Sequence, residues 1–168
     1  MSVCFLNSEY VLLSEAKVSV LDRGFIFGDA VYEVLPAFEG KFFALAQHLE
    51  RLNDNLKKVS IDPPYSSKEW GTLLATLSEK NGNSDLSFYI QVTRGVAERN
   101  HFFPIDCKPT VFVMCTSLKS SSSPLIKSCI TRSDNRWGRC DIKTTSLLPN
   151  LMLKNEALLS DAFEVILL

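Results

Sequence analysis

The chain has 168 residues, enough for one good-sized domain or one domain and part of another, and its 46% hydrophobic and 22% charged content is that of an ordinary soluble globular protein. Eighteen Lys+Arg against nineteen Asp+Glu leave a net charge of -1, so neither a nucleic-acid face nor a polybasic membrane patch is expected. Cys4, Cys107, Cys115, Cys129 and Cys140 form no C-x-x-C pair and read as free thiols; with no secretory signal and no bilayer-length apolar run, the expected location is the cytoplasm.

The run from Val3 to Leu13 predicts a hairpin turning at Asn7-Ser8. Asp22-Arg-Gly-Phe-Ile-Phe-Gly-Asp29, with two glycines four apart, predicts a tight, shaped loop. It lacks the Walker Lys-Ser/Thr ending and is no phosphate loop. Val31 to Phe38 is strand-like, and Glu39-Gly40-Lys41 turns it towards Phe42-Phe43. Tyr32, near its start, reads by itself as a packing residue with a wet hydroxyl. Leu45, Leu49, Leu52, Leu56 and Val59 recur at helical spacing. Arg51 lies off that stripe, free to face solvent or a ligand anion. His48 lies at its edge and reads as structural.

Ser66 and Glu69 form a capping-box pattern ahead of a second helix with Trp70, Leu73, Leu74 and Leu77 on its buried face, ended by Asn81-Gly82. Leu86 to Gly95 and Pro109 to Cys115 predict strands. Between them, Arg99 and His101 point the same way if the segment is extended. They make either a carboxylate trap or an ordinary polar loop. The serine-rich run 119–124 has linker composition, dividing the chain into an N-terminal domain over 1–118 and a second domain from 125 to 168. In the second, Leu125 to Ile130 and Arg136 to Lys143 predict strands, and Leu151 to Ser160 predicts a helix capped by Asn150. Lys143 is either one of many solvated lysines or an amine held on rigid backbone, as covalent catalysis requires. Phe163 to Leu168 predicts a buried strand that stops without a turn or polar tail, so the chain is expected to be incomplete at that side.

Six pieces together resemble the fold-type IV pyridoxal-phosphate enzymes, and most closely the D-amino-acid aminotransferases. They are Asp22-Arg-Gly-Phe-Ile-Phe-Gly-Asp29, Val31-Tyr-Glu-Val34, His48-Leu-Glu-Arg51-Leu52, Val92-Thr-Arg-Gly95, Arg99-Asn-His101-Phe-Phe-Pro104 and Arg136-Trp-Gly-Arg-Cys-Asp-Ile-Lys143, in the family's order. The resemblance implies an α+β, two-domain fold, with an N-terminal α/β sandwich and the start of a larger C-terminal domain that is truncated here. It implies that Lys143 carries pyridoxal 5′-phosphate covalently and acts as the catalytic residue, and that Arg51 clamps the cofactor phosphate. It implies that Tyr32, Arg99 and His101 bind the substrate α-carboxylate, with Arg99 and His101 supplied by the other subunit of a homodimer. The implied reaction is transamination between a D-amino acid such as D-alanine and a 2-oxo acid such as 2-oxoglutarate.

The chain departs from the family pattern at Ala30, where many relatives have glycine, and at Thr144-Thr145 after the lysine. The glutamate that meets the pyridine nitrogen and the phosphate-binding turns are expected beyond Leu168. Aminodeoxychorismate lyase and branched-chain aminotransferase are alternatives on the same scaffold. A non-catalytic fragment or interaction module is the alternative if the protein ends at Leu168.

Overall fold

Period-two patterning in the apolar stretches produces the central sheet. The computed structural model describes residues 2–118 and 126–168. Their contacts divide the chain into two compact units, residues 1–119 with 142–145, and residues 120–141 with 146–168. The Ser-rich linker expected at 119–124 lies outside the described residues.

The first unit contains, in order, β1 (Val3–Leu6), β2 (Glu9–Leu12), α1 (Arg23–Phe27), β3 (Ala30–Phe38), β4 (Lys41–Phe42), α2 (Leu45–Lys58), α3 (Ser67–Lys80), β5 (Leu86–Thr93) and β6 (Thr110–Ser117). The strands form one antiparallel sheet in the order β2-β1-β6-β5-β3-β4. Asn7 and Ser8 both have positive φ (47° and 79°), as a two-residue hairpin turn matching the strand twist requires. Val31, Leu35 and Ala37 of β3 and Leu86, Phe88, Ile90 and Val92 of β5 are buried on every second position. Leu49, Leu52 and Leu56 of α2 and Trp70, Leu74 and Leu77 of α3 complete this core. Each buried Val, Leu, Ile or Phe among them contributes about 1.5–3 kcal/mol by leaving water. The capping box forms as expected: Ser66 accepts from the Glu69 N–H, and the Glu69 carboxylate accepts from the Ser66 N–H.

The glycine-flanked segment differs from the expected loop. It is the single-turn helix α1, capped by Asp22, which accepts from Gly24 N at 2.8 Å, and closed by Gly28 at φ 66°. One turn is too short for a hydrophobic period to announce it, but a capping aspartate and a left-handed glycine suffice to close it. Residues 142–145 also belong to this unit. Ile142 joins the core, and Thr144 forms an antiparallel bridge with Val31.

The second unit contains β7 (Cys129–Arg132), α4 (Leu148–Leu159) and β8 (Glu164–Leu167). β7 and β8 pair in parallel, with α4 between them in sequence. Arg132 meets Glu156 at 2.6 Å, and Lys154 meets Glu164 at 2.9 Å. β7 starts at Cys129, later than expected. The strand expected to lead into Lys143 does not form. Residues 136–142 are bends and turns, with Arg136 paired to Asp134 (2.7 Å) and Arg139 to Asp141 (2.9 Å), each two residues away. α4 starts at Leu148, so Asn150 sits inside its first turn and is not the cap. Pro149 initiates the helix instead, because its ring presets φ and it gives up only an N–H that the first turn leaves unpaired. β8 forms over Glu164–Leu167 but is half-exposed where a buried strand was expected: Ile166 retains 51% of its surface.

Candidate active site

Lys143 is pinned from two sides. Its carbonyl accepts from Tyr32 N at 3.0 Å, so β3 holds it at residue 32. Its own N–H donates to Asn55 Oδ1 at 2.7 Å, and Asn55 Nδ2 donates to the Arg51 carbonyl at 2.7 Å. Asn55 lies buried beside Leu52 and Leu56 in α2. A buried amide must find partners, and these two bonds supply them. Downstream, Thr144 Oγ1 donates to the Ala30 carbonyl at 2.9 Å and Thr145 N to the same oxygen at 3.2 Å. The lysine therefore starts from fixed backbone, although a neighbouring strand and a helix amide fix it where a strand of its own was expected. Its ammonium lies 3.9 Å from the centre of the Tyr32 ring. Among the described residues no hydrogen bond or ion pair occupies it.

Arg51 approaches the next residue of β3. Its Nε and Nη2 donate to the two oxygens of Glu33 at 2.7 and 2.6 Å. Glu33 is completely buried, in the inward phase between Val31 and Leu35. Its Oε1 also lies 3.3 Å from His48 Nδ1, and it accepts from Val34 N at 2.8 Å. Burial pushes the Glu33 carboxyl upwards, but the Arg51 and Val34 hydrogen bonds and the Arg51 charge outweigh it and hold the group below the usual range. The hydrogen bond to Glu33 in turn raises Arg51. The Arg51 side chain keeps 54% of its surface exposed. Among the described residues no hydrogen bond uses Nη1, so one edge of the guanidinium is bound and the other is open.

Arg99 and His101 are brought together elsewhere. The Arg99 guanidinium lies 5.4 Å, and the His101 ring 5.7 Å, from the Phe27 ring centre. A second ionic cluster supports their segment. Asp29 accepts from Arg23 Nε (2.8 Å), Arg94 Nε (2.7 Å) and Arg94 Nη2 (2.9 Å). Arg23 then donates to the Asn100 carbonyl at 2.6 Å, and the Arg94 guanidinium lies 3.6 Å from the Phe103 ring centre. Among the described residues no hydrogen bond, ion pair or ring contact links Arg99 or His101 to Tyr32, Arg51 or Lys143.

The structure thus groups Tyr32, Arg51 and Lys143 around residues 31–33 and groups Arg99 with His101 on Phe27. Sequence reading missed Glu33, Asn55 and the Asp29–Arg23–Arg94 cluster. Two signals were available: a carboxylate in the apolar phase of β3, and an amide inside the leucine stripe of α2. Each is a polar group in a place that tolerates only a paired one.

Residues 30–168 match the family described as Amino-transferase class IV. The chain is 40% identical to a D-alanine aminotransferase of Staphylococcus aureus over 99% of its own length and 60% of the relative's. It is 37% identical to a D-alanine aminotransferase of Listeria monocytogenes, over 96% of its length and 58% of the relative's. The chain therefore spans about 60% of the length of the curated relatives it matches. Among solved structures, it is similar to the branched-chain aminotransferase of the thermophilic archaeon Thermoproteus uzoniensis with norvaline. The TM-score is 0.87 and the identity 22%, covering 99% of this chain and 59% of that one. That likeness shows the mixed α/β fold.

Proposed function

We propose, from the premise that this chain belongs to the amino-transferase class IV family, that the full-length protein moves the amino group of D-amino acids such as D-alanine to a 2-oxo acid such as 2-oxoglutarate, with pyridoxal 5′-phosphate as cofactor. The named activity of the Staphylococcus and Listeria relatives supports the substrate class. The observation that carries the reading is the convergence of Lys143 and Arg51 on adjacent residues of β3, the lysine at Tyr32 and the arginine at Glu33.

These residues fit the cofactor. A covalent carrier needs an amine on fixed backbone, and Lys143 supplies one whose ammonium has no ionic partner among the described residues. A phosphate needs a fork of N–H donors, and the open edge of Arg51 supplies it without displacing Glu33. When bound, the cofactor ring supplies the electron sink that allows a substrate Cα–H to ionise. Lys143 Nζ takes that proton and returns it, acting as base and then as acid. Tyr32, together with the partner subunit's Arg99 and the partner subunit's His101, binds the substrate α-carboxylate. The separate placing of Arg99 and His101 on Phe27 within one protomer supports a homodimer with a shared site. In this reading residues 125–168 form the start of the cofactor-binding domain, except that 142–145 pack within the first unit. The five free cysteines support the cytoplasm as its location.

The test is the visible absorption of the purified full-length protein before and after borohydride, followed by peptide mass mapping. We expect a band lost on reduction and a cofactor adduct on Lys143, with both absent, along with turnover, in Lys143→Ala. An adduct on another lysine, or steady-state transamination by Lys143→Ala, overturns the assignment. Turnover of D-alanine with 2-oxoglutarate, and not of aminodeoxychorismate or branched-chain L-amino acids, separates this activity from its alternatives.

A further inference from the structure

We propose that Glu33, steadied by His48, is a positioning residue that turns the open edge of Arg51 towards the phosphate of a pyridoxal-type cofactor; the inference rests on the reading of Arg51 given above. A guanidinium is planar, and its five N–H groups have fixed directions. Binding its Nε–Nη2 edge at 2.7 and 2.6 Å therefore fixes the plane, and with it the direction of the Nη1 donors. An exposed arginine without such an anchor samples many rotamers, and ordering it on binding lowers affinity. This one is exposed at its far edge yet anchored at its near edge.

The anchor is itself rigid. Glu33 is on a central part of β3, paired with Ile90 of β5, and no part of its side chain reaches solvent. His48, one turn ahead of Arg51 on α2, holds Nδ1 3.3 Å from Glu33 Oε1 and 3.5 Å from Arg51 Nη2, against the bound edge of the pair. A carboxylate in this apolar phase costs stability unless it is paired, so a merely structural role would be filled as well by an aliphatic residue. The geometry points instead to Glu33 as a fixed template for the arginine.

The test uses the full-length protein freed of cofactor and titrated by absorbance with pyridoxal 5′-phosphate and, separately, with pyridoxal, which lacks the phosphate. Glu33→Gln should raise the Kd of pyridoxal 5′-phosphate about tenfold, the scale expected when a pre-organised arginine becomes mobile, and leave pyridoxal within about twofold. Glu33→Asp keeps the buried charge but shortens its reach, and should shift the same Kd in the same direction by several-fold. Arg51→Ala should weaken pyridoxal 5′-phosphate further, and Glu33→Gln should add nothing in that background, because the two act as one unit. If Arg51→Ala weakens phosphate-dependent binding while both Glu33 variants bind like the parent, the positioning role is overturned and the reading of Arg51 stands. If Arg51→Ala binds pyridoxal 5′-phosphate as tightly as the parent, the reading of Arg51 falls first. Equal losses for pyridoxal and its phosphate in the Glu33 variants also overturn the proposal, because a template acting through Arg51 cannot affect a ligand without the phosphate.

Discussion

Two carboxylates in the first unit each hold arginine, and they do so to different ends. Asp29 binds Arg23 and Arg94, whose side chains retain only 4% and 7% of their surface. Arg94 commits Nε and Nη2 to Asp29 and further donors to the carbonyls of Ser60 and Val59. Arg23 reaches on to the Asn100 carbonyl. Glu33 is the more deeply buried acid, yet its single arginine is more than half exposed and keeps one edge free. The difference shows that an arginine–carboxylate pair is not by itself a site or a strut. What decides is how many of the guanidinium donors remain after the pair has formed. By that criterion the Asp29 cluster is framework, tying α1 and the residue after β5 to the segment carrying Arg99 and His101, whereas the Glu33 pair leaves one edge of its arginine unused among the described residues.

The contrast can be broken by mutation. The largest effect on stability is expected from Asp29→Ala, which leaves two buried guanidinium groups sharing no counter-charge. Denaturant unfolding of the full-length protein should show a loss of about 3–5 kcal/mol. Arg51→Ala comes next, at about 2 kcal/mol, because it strands Glu33 in the core while solvent had already screened part of the pair. Glu33→Gln should cost least, below about 1 kcal/mol, because the charge it strands is the half-exposed one. The order Arg51→Ala over Glu33→Gln in stability is an asymmetry that equal sharing of the pair would not produce. If the two cost the same, the account of Glu33 as buried template and Arg51 as open partner fails.

Burial pushes the Asp29 carboxyl up, but the hydrogen bonds and charges of Arg94 and Arg23 outweigh it, so its folded value lies below the ordinary 3.8. Glu33 likewise lies below its ordinary 4.5. A carboxyl lowered on folding contributes stability that is complete above its unfolded value and is lost as pH falls through its folded value. Unfolding midpoints should therefore drop as pH is lowered from about 6 to about 3, and Asp29→Asn should make that drop shallower while lowering stability at the upper end. An unchanged acid slope in Asp29→Asn would mean that the cluster does not hold its charge as the geometry indicates.

The elements that were legible in the chain are those whose causes are local. The leucine stripe of α2, the Ser66–Glu69 box, the Asn7-Ser8 turn and the alternation of β3 each depend on residues within a few positions of one another. The residues Lys143, Arg51, Tyr32, Arg99 and His101 were also nameable, through short motifs in a characteristic order. Local patterning misled where a helix was only one turn long, at α1, and where turns and neighbour ion pairs replaced the strand before Lys143.

Amino-acid order by itself determined which faces are apolar, where the main turns fall and which side chains could carry chemistry. Only the tertiary structure decided how those side chains are held: Arg51 by an acid 18 residues away, Lys143 by an amide 88 residues away, and Arg23 by a carbonyl 77 residues away. Such pairings depend on the sheet order and on the packing of α2 against β3, and a buried polar group in the sequence states only that it needs a partner, leaving the choice of partner to the fold.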